Sequence, residues 1–372
     1  MGRESSCNLL ITGATGHVGF RTLIHALNAG YTVRAAVRSQ AKANIIINHP
    51  QIKALNLGSR LSFIIVPEIT YPYAYDEATR GVKYVIHIAS PLMTGGDEIP
   101  LNEHDSHFIQ PAVLGTLSML EAAKKSQTVR RVVITSSVVA ITPVAQMEGY
   151  ERRSTPVLPT DRVVFESGPY ETEFAAYANS KVAALQEAEA WIKREKPSFD
   201  VIHLHPAFIE GRNDLATTPR EAMKGTNAVV LGIALGKDFG GFAGATVHND
   251  DVARVHVQSL LPQIPGNRSY ILSQQTRWDD AKDIIKRAFP DAVAKRRLPN
   301  CGSAHNIDIK FDSSLTERTF GFKHIGFEEQ VKSVVGHFLE IRSRRRTTMQ
   351  AASSDRRGSA LVAAGQEVRA NA

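Results

Sequence analysis

Tyr177 and Lys181 stand four residues apart in Tyr177-Ala178-Asn179-Ser180-Lys181, inside a helical pattern that runs from Glu171 to Glu195. That i, i+4 spacing puts a phenol and an ammonium on one face of a helix. A tyrosine ordinarily keeps its proton to a pKa of about 10 and shuttles protons poorly at neutral pH, and a nearby cation lowers that value. The pair predicts proton transfer at an oxygen atom. A hydroxyl to hold that oxygen is offered by Ser137, with Ser136 as its rival, at the end of the apolar run Val132-Val133-Ile134-Thr135. Tyr-x-x-x-Lys alone is common by chance, so its meaning rests on what surrounds it.

What precedes it is a glycine triplet. The stretch Leu9-Leu10-Ile11-Thr12-Gly13-Ala14-Thr15-Gly16-His17-Val18-Gly19 reads as strand, tight turn and helix start. Gly13 can take a turn geometry closed to residues with a Cβ, Gly16 leaves room for a pyrophosphate, and Gly19 lets the helix pack on the strand. Free N–H groups and the positive helix end then face the anion. The spacing is G-x-x-G-x-x-G, and any strand–turn–helix can use glycines for structure alone. Thr15, His17 and Val18 fall inside the same loop, with His17 either touching phosphate or facing water. At the end of the second strand, where an NAD site usually carries an acid, the chain has Ala36-Val37-Arg38-Ser39, and Lys42 follows. A guanidinium suits a 2′-phosphate, so NADPH/NADP+ is the expected cofactor; the alternative is an exposed Arg and Lys at a helix start. Glu68 and Ile69 follow the third strand, where Glu68 could hold the adenine amino group.

These residues need a scaffold. Apolar runs at Tyr31–Val37, Leu61–Val66, Val82–Ile88, Arg131–Ser136 and Asp200–His205 follow the first strand and alternate with helical patterns. One helix, Pro111–Lys125, is expected to turn Val113, Leu114, Leu117 and Leu120 inward. Alternation of this kind predicts an α/β chain: a doubly wound Rossmann parallel sheet with a smaller C-terminal substrate lobe. Residues 1–206 would bind the dinucleotide and residues 207–342, partly interleaved with the sheet, the substrate. Residues 343–372 would be a disordered basic tail. Within the lobe we expect a short strand at Ala245–Val247, a helix over Val252–Leu261 capped by Asn249-Asp250-Asp251, a strand at Tyr270–Ser273, and helices near Trp278–Phe289 and Phe327–Ile341. Pro143 to Tyr170 reads as a loop over the substrate.

As a set, these motifs resemble the extended short-chain dehydrogenase/reductases, and within them the dihydroflavonol and cinnamoyl-CoA reductases and related fungal aldehyde and ketone reductases. The carrying residues are Thr12 to Gly19, Val33 to Arg38, His87-Ile88-Ala89-Ser90-Pro91, Thr135-Ser136-Ser137, Tyr177 to Lys181 and Val247 to Ala253, within a likeness spanning about residues 8 to 340. The resemblance implies that Tyr177 donates a proton to a carbonyl oxygen that Ser137 holds, while hydride arrives from NADPH. It implies that Lys181 holds the nicotinamide ribose and depresses the tyrosine pKa. Ala89 and Ser90 would line the cofactor cleft, Pro206 would flank the nicotinamide, and Ser90, Thr142 and Phe208 would meet substrate. Thr142 falls where plant dihydroflavonol reductases carry an asparagine, which argues against a flavonoid. A ketoreductase of secondary metabolism is the setting implied. The same triplet would also serve a hydroxysteroid dehydrogenase or a sugar-nucleotide epimerase or dehydratase. A non-catalytic dinucleotide sensor is a further alternative, disfavoured by the Tyr177–Lys181 pair.

Charge and composition narrow the partners. The chain carries +7, but seven arginines from Arg342 onward, against Asp355 and Glu367, account for +5. A basic tail is not a basic face, so nucleic acid is not expected. No run approaches the roughly 20 apolar residues of a membrane span. With two cysteines, Cys7 and Cys301, and no signal-like N-terminus, a reducing cytoplasmic setting is the default. His87 reads as a packed, satisfied histidine, and His203 and His205 as neighbours on one sheet face. No metal site is expected. Oligomeric state is left open.

Overall fold

Leu9–Thr12 (β1) is buried at every position, as a continuous apolar run must be when helices cover both faces of a sheet. The structure, a computed structural model, describes residues 8–93 and 99–344. After β1 come Val33–Val37 (β2), Leu61–Ile65 (β3), Tyr84–His87 (β4), Arg131–Thr135 (β5) and Asp200–Pro206 (β6). The C-terminal half adds Phe208–Glu210 (β7), Asp238–Ala243 (β8), Ala245–His248 (β9), Arg268–Leu272 (β10), Gln274–Gln275 (β11) and Ser303–Ile307 (β12). The main sheet is seven-stranded, in the order β10-β6-β5-β4-β1-β2-β3, and parallel throughout. β1 and β4 are neighbours whose chains leave in opposite directions along the sheet, which opens the crevice where such folds bind ligands.

The longer helices are His17–Asn28 (α1), Gln40–Ile47 (α2), Gln110–Ser126 (α3), Glu173–Glu195 (α4), Asn227–Ala234 (α5), Asn249–Gln258 (α6) and Asp280–Ala288 (α7). A further helix covers residues 327–344. On one sheet face Phe20, Leu23 and Leu27 of α1 meet Val252 and Val255 of α6. On the other, Met119, Leu120 and Ala123 of α3 join Trp191 of α4 over Leu10, Val85, Val132 and Val201.

Several expectations need correction. The α3 face is not the Val113-Leu114-Leu117-Leu120 stripe: Ala112, Gly115, Thr116, Met119, Leu120 and Ala123 are buried, while Leu114 is exposed. Small residues win because the helix lies close to its neighbours. A Cβ on Gly115 would stand 2.9 Å from the Ile69 side chain. The cap of α6 is His248, whose Nδ1 accepts the Asp250 N–H at 3.0 Å. Asn249 and Asp250 are therefore free to reach α1: Asn249 donates to the His17 carbonyl at 3.1 Å, and Asp250 pairs with Arg21 at 2.5 Å and His25 at 3.0 Å.

The C-terminal half interleaves with the main sheet, since β10 returns from it to pair beside β6. The rest forms a small sheet in the order β11-β9-β7 and a β8–β12 pair. α5, α7 and the helix over 327–344 pack around the buried Trp278. That last helix runs through Ser343 and Arg344, so the expected tail does not begin at 343. Its remainder, like Cys7, lies outside the described residues. Cys301 is exposed and has no disulfide partner among the described residues. The segment from Pro143 contains a short helix, Val144–Met147, then an irregular path on which buried Val157 bridges to Phe311. Among the described residues no helix is long and apolar enough to cross a membrane.

Candidate active site

The glycine loop owes its shape to contacts that exclude a Cβ. Gly13 has φ +72° and sits so close to β4's exit that a Cβ would lie 2.9 Å from the Ala89 nitrogen. A Cβ on Gly19 would stand 2.0 Å from the Gly13 carbonyl oxygen. On Gly16 it would meet that same oxygen at 3.4 Å and nothing else within contact distance. Gly16 caps α1 without a side-chain hydrogen bond, and the first turn holds no acid. Backbone N–H groups there have no side-chain partner, and an anion is the natural acceptor. Thr15 and Val18 flank this turn, both partly exposed. The loop therefore fits a dinucleotide pyrophosphate.

The His17 side chain is tied into the protein. Its Nε2 meets the Gly211 carbonyl at 3.1 Å, and burial lowers its pKa to about 4. It is a neutral tie between α1 and the chain leaving β7. Arg38 and Lys42 are exposed at the end of β2 and the start of α2, where Ser39 caps the helix by accepting the Lys42 N–H at 3.4 Å. Glu68 accepts the Thr70 N–H at 3.0 Å. That bond, with a smaller contribution from the Arg38 charge, holds its carboxyl below the usual range. Ile69 is spent largely on packing against α3.

Tyr177 and Lys181 share the face of α4, which Thr172 caps by accepting the Ala175 N–H at 3.0 Å. The Lys181 Nζ donates to Ser90 Oγ at 2.6 Å and lies 5.4 Å from the centre of the Tyr177 ring. Ser137 begins a 3-10 turn, Val138–Ala140, its Oγ accepting the Val139 N–H at 3.4 Å. Its carbonyl accepts from His205 Nδ1 at 3.1 Å. The Ser137 hydroxyl lies close enough to Tyr177 to lower its pKa, and Ser136 lines a cavity with Lys181. Four groups thus converge: Ser90, Ser137, Tyr177 and Lys181.

Their electrostatics differ from expectation. Burial pushes the Tyr177 phenol up to about 12, and the nearby Ser137 hydroxyl only partly offsets it. Burial brings Lys181 down to about 8. Burial sets the direction of both shifts, and the Lys181 ammonium is directed to Ser90. The sign for stability follows. Lys181 titrates well below its unfolded value of 10.5, so below pH 8 its charged form costs stability. An upper bound is about 3 kcal/mol, and the cost vanishes above the unfolded pKa. Lys181→Met is expected to raise the melting midpoint by a few degrees at pH 7, with the gain fading near pH 10, while turnover is lost. Thermal melts at the two pH values check it.

Other predicted contacts are distributed unevenly. Ala89 donates its N–H to Thr12 Oγ1 at 3.0 Å, and Pro206 ends β6 beside Leu272 of β10. Phe208 is half-buried, its ring 5.7 Å from Phe242 and 5.4 Å from Trp278. Thr142 is buried, and its hydroxyl donates to the Val138 carbonyl at 2.8 Å. Among the described residues no cluster of His, Cys, Asp or Glu could hold a metal. Sequence reading missed Thr12, whose hydroxyl accepts the N–H groups of both Ile88 and Ala89 at 3.0 Å and so fixes the cofactor side of β4 to β1. A hydroxyl closing a buried strand just before the glycine loop was the available signal.

Comparison with known proteins accords with this geometry. Residues 9–268 match the NAD dependent epimerase/dehydratase family. Over 346 residues the chain is 43% identical to Ketoreductase CTB6 of Cercospora nicotianae, covering 90% of this chain and 95% of that one. It is 34% identical to NAD-dependent epimerase/dehydratase ALT6 of Alternaria alternata, over 87% of this chain and 96% of the other. Among solved structures, yeast methylglyoxal/isovaleraldehyde reductase Gre2 complexed with NADPH is similar in fold, with a TM-score of 0.76 at 22% identity, covering 91% of this chain and 99% of that one.

Proposed function

The chain belongs to the NAD dependent epimerase/dehydratase family, among the extended short-chain dehydrogenase/reductases, and we propose that within it the protein is an NADPH-dependent carbonyl reductase. Its substrate would be a small hydrophobic or aromatic ketone or aldehyde. The observation that carries the reading is the convergence of Ser137, Tyr177, Lys181 and Ser90 beside the glycine loop. The ketoreductase relative of Cercospora nicotianae supports the reaction class, and the exposed Leu92 and Met93 that follow Ser90 support an apolar substrate. Secondary metabolism is the setting we propose, by likeness to such fungal ketoreductases.

A dihydronicotinamide bound there would supply the hydride. Tyr177 then gives its phenolic proton to the carbonyl oxygen as negative charge develops there, and Ser137 donates a hydrogen bond to the same oxygen. Lys181, held by Ser90, keeps a positive charge next to the phenol and so favours departure of its proton. The loop residues Gly13, Thr15, Gly16, Val18 and Gly19, with Ala89, Ser90 and Pro206, would bound the dinucleotide. Arg38 and Lys42 would receive a 2′-phosphate, with Glu68 beside the adenine.

The test is consumption of NADPH, and separately of NADH, against aromatic and aliphatic ketones and aldehydes. Arg38→Ala is expected to raise KM for NADPH about 10- to 100-fold, the worth of a charge-assisted hydrogen bond, and to leave NADH kinetics nearly unchanged. A wild-type preference for NADH would sink the role of Arg38. Tight NADPH binding with no turnover of any carbonyl would move the assignment to an epimerase or a sensor.

A further inference from the structure

The proposed reaction does not use a polar row that crosses the sheet. Strand register places Thr12 of β1, His87 of β4, Ile134 of β5 and His203 of β6 side by side. In-register neighbours in a parallel sheet point to the same face, here the one beneath α3 and α4. His87 and His203 are both buried, and each has an Nε2 without a hydrogen-bond partner. Both line a cavity that Lys181, Ser136 and Thr116 also line, with about 20 Å³ in which the centre of a water molecule can sit. One water needs roughly 10–15 Å³ on that measure, together with two to four polar partners.

The hydrogen-bond network assigns the protons. Thr12 Oγ1 accepts from the Ile88 and Ala89 N–H groups, each at 3.0 Å. With both acceptor sites used, its own proton goes to His87 Nδ1, 3.0 Å away. Neutral His87 therefore carries its hydrogen on Nε2, as a donor with no acceptor among the described residues. Lys181 adds the same demand, because an ammonium has three N–H bonds and one of them goes to Ser90 Oγ. Two donors bordering one small cavity require an oxygen with two acceptor sites, and a water supplies it. Its two protons can go to His203 Nε2 and to the Ser136 or Thr116 hydroxyl.

We propose that this cavity is a built water site, and that His87 is a positioning residue that holds the Lys181 ammonium in place through that water. The inference rests on the role proposed above for Lys181. Around the ammonium, the titratable groups among the described residues are Tyr177 on its own helix, His87 from β4 and His203 from β6. α3 contributes Thr116, and β5 contributes Thr135 and Ser136, none of which ionises in this range. Arg162 and Glu189 pair with each other beyond His203, at 2.5 Å. Burial holds His87 at about 3 and His203 at about 4, so neither changes charge near neutral pH and Lys181 does.

The test has a structural arm and a kinetic arm. A crystal structure of the wild-type protein at atomic resolution should show water density within hydrogen-bond distance of both Lys181 Nζ and His87 Nε2. Imidazole nitrogen NMR should report His87 protonated at Nε2. His87→Phe, which removes the donor and fills the site, should move the alkaline limb of the kcat/KM profile down by about one pH unit, a tenfold loss at fixed alkaline pH. His87→Gln, whose amide can place an N–H near the same point, should keep the wild-type profile. If His87→Phe does not fold, His203→Leu on the opposite wall should give the same displacement. An empty cavity, a proton on Nδ1, or coincident profiles for the folded apolar variant and wild type would overturn the proposal. If Lys181→Met and Tyr177→Phe keep full turnover, the catalytic reading fails instead, while water and tautomer are still read independently.

Discussion

Tyr177→Phe is expected to lower kcat by about 10²- to 10⁴-fold, the usual worth of a positioned proton donor, with NADPH affinity and melting temperature nearly unchanged. The substitution removes one oxygen and keeps the ring. That ring packs against two buried clusters, one around Val139, Ala178 and Leu185 and the other around Phe108 and Ala176, so its apolar contacts survive. The Lys181 ammonium, 5.4 Å from the ring centre, keeps its hydrogen bond to Ser90. In the proposed reaction what disappears is the proton that would reach the carbonyl oxygen, and Ser137 alone could hold that oxygen but is too weak an acid to replace the phenol. Single-turnover oxidation of NADPH, beside a binding titration, separates the two effects. Wild-type turnover in this variant would remove Tyr177 from the mechanism. The pH dependence has a matching sign: Tyr177, pushed up to about 12, stays protonated throughout, whereas Lys181, brought down to about 8, loses its charge as pH rises. Activity should therefore fall on the alkaline side as the lysine titrates.

Gly19→Ala is expected to be the most damaging single-atom addition in the cofactor loop. Its new methyl would lie 2.0 Å from the Gly13 carbonyl oxygen, 2.6 Å from the carbonyl carbon and 3.0 Å from Ala14 Cα. All three are backbone atoms, so no rotamer change relieves the clash, and Gly13 is itself pressed against the Ala89 backbone. Overpacking of this kind costs about 1–3 kcal/mol or more, and here the loop must open to relieve it. We expect a melting midpoint lower by several degrees and NADPH binding weakened by about 100-fold or more, some 2.7 kcal/mol. Gly16→Ala is the control, since a Cβ there meets the protein only at 3.4 Å. Its stability should stay near wild type while cofactor affinity falls. Melts with and without NADPH distinguish the two, and equal behaviour of the variants would contradict this account of the loop.

Much of the scaffold was legible in the chain because its signals are local. An apolar run, a glycine triplet and a helical period specify β1, the loop and α1 without reference to anything distant, and i, i+4 spacing alone places Tyr177 and Lys181 on one face. Strand ends shifted by a residue or two, but the alternation of strand and helix was readable. The return of β10 to the main sheet was not, since no local pattern says which strand will be its neighbour. The inward face of α3 was misread for a similar reason: Gly115 faces inward because Ile69, distant in sequence, lies over it. The active site divides the same way. Residue type and spacing nominated both Ser136 and Ser137, but only the packed structure sets Ser136 in the wall of a cavity beside Lys181. The chain likewise put a lysine beside a tyrosine, whereas Ser90 as its partner, and the direction in which each pKa moves, come from burial. Secondary structure and motif spacing are properties of neighbouring residues. Hydrogen-bond partners, tautomers and desolvation depend on groups that tertiary folding brings together from distant parts of the chain.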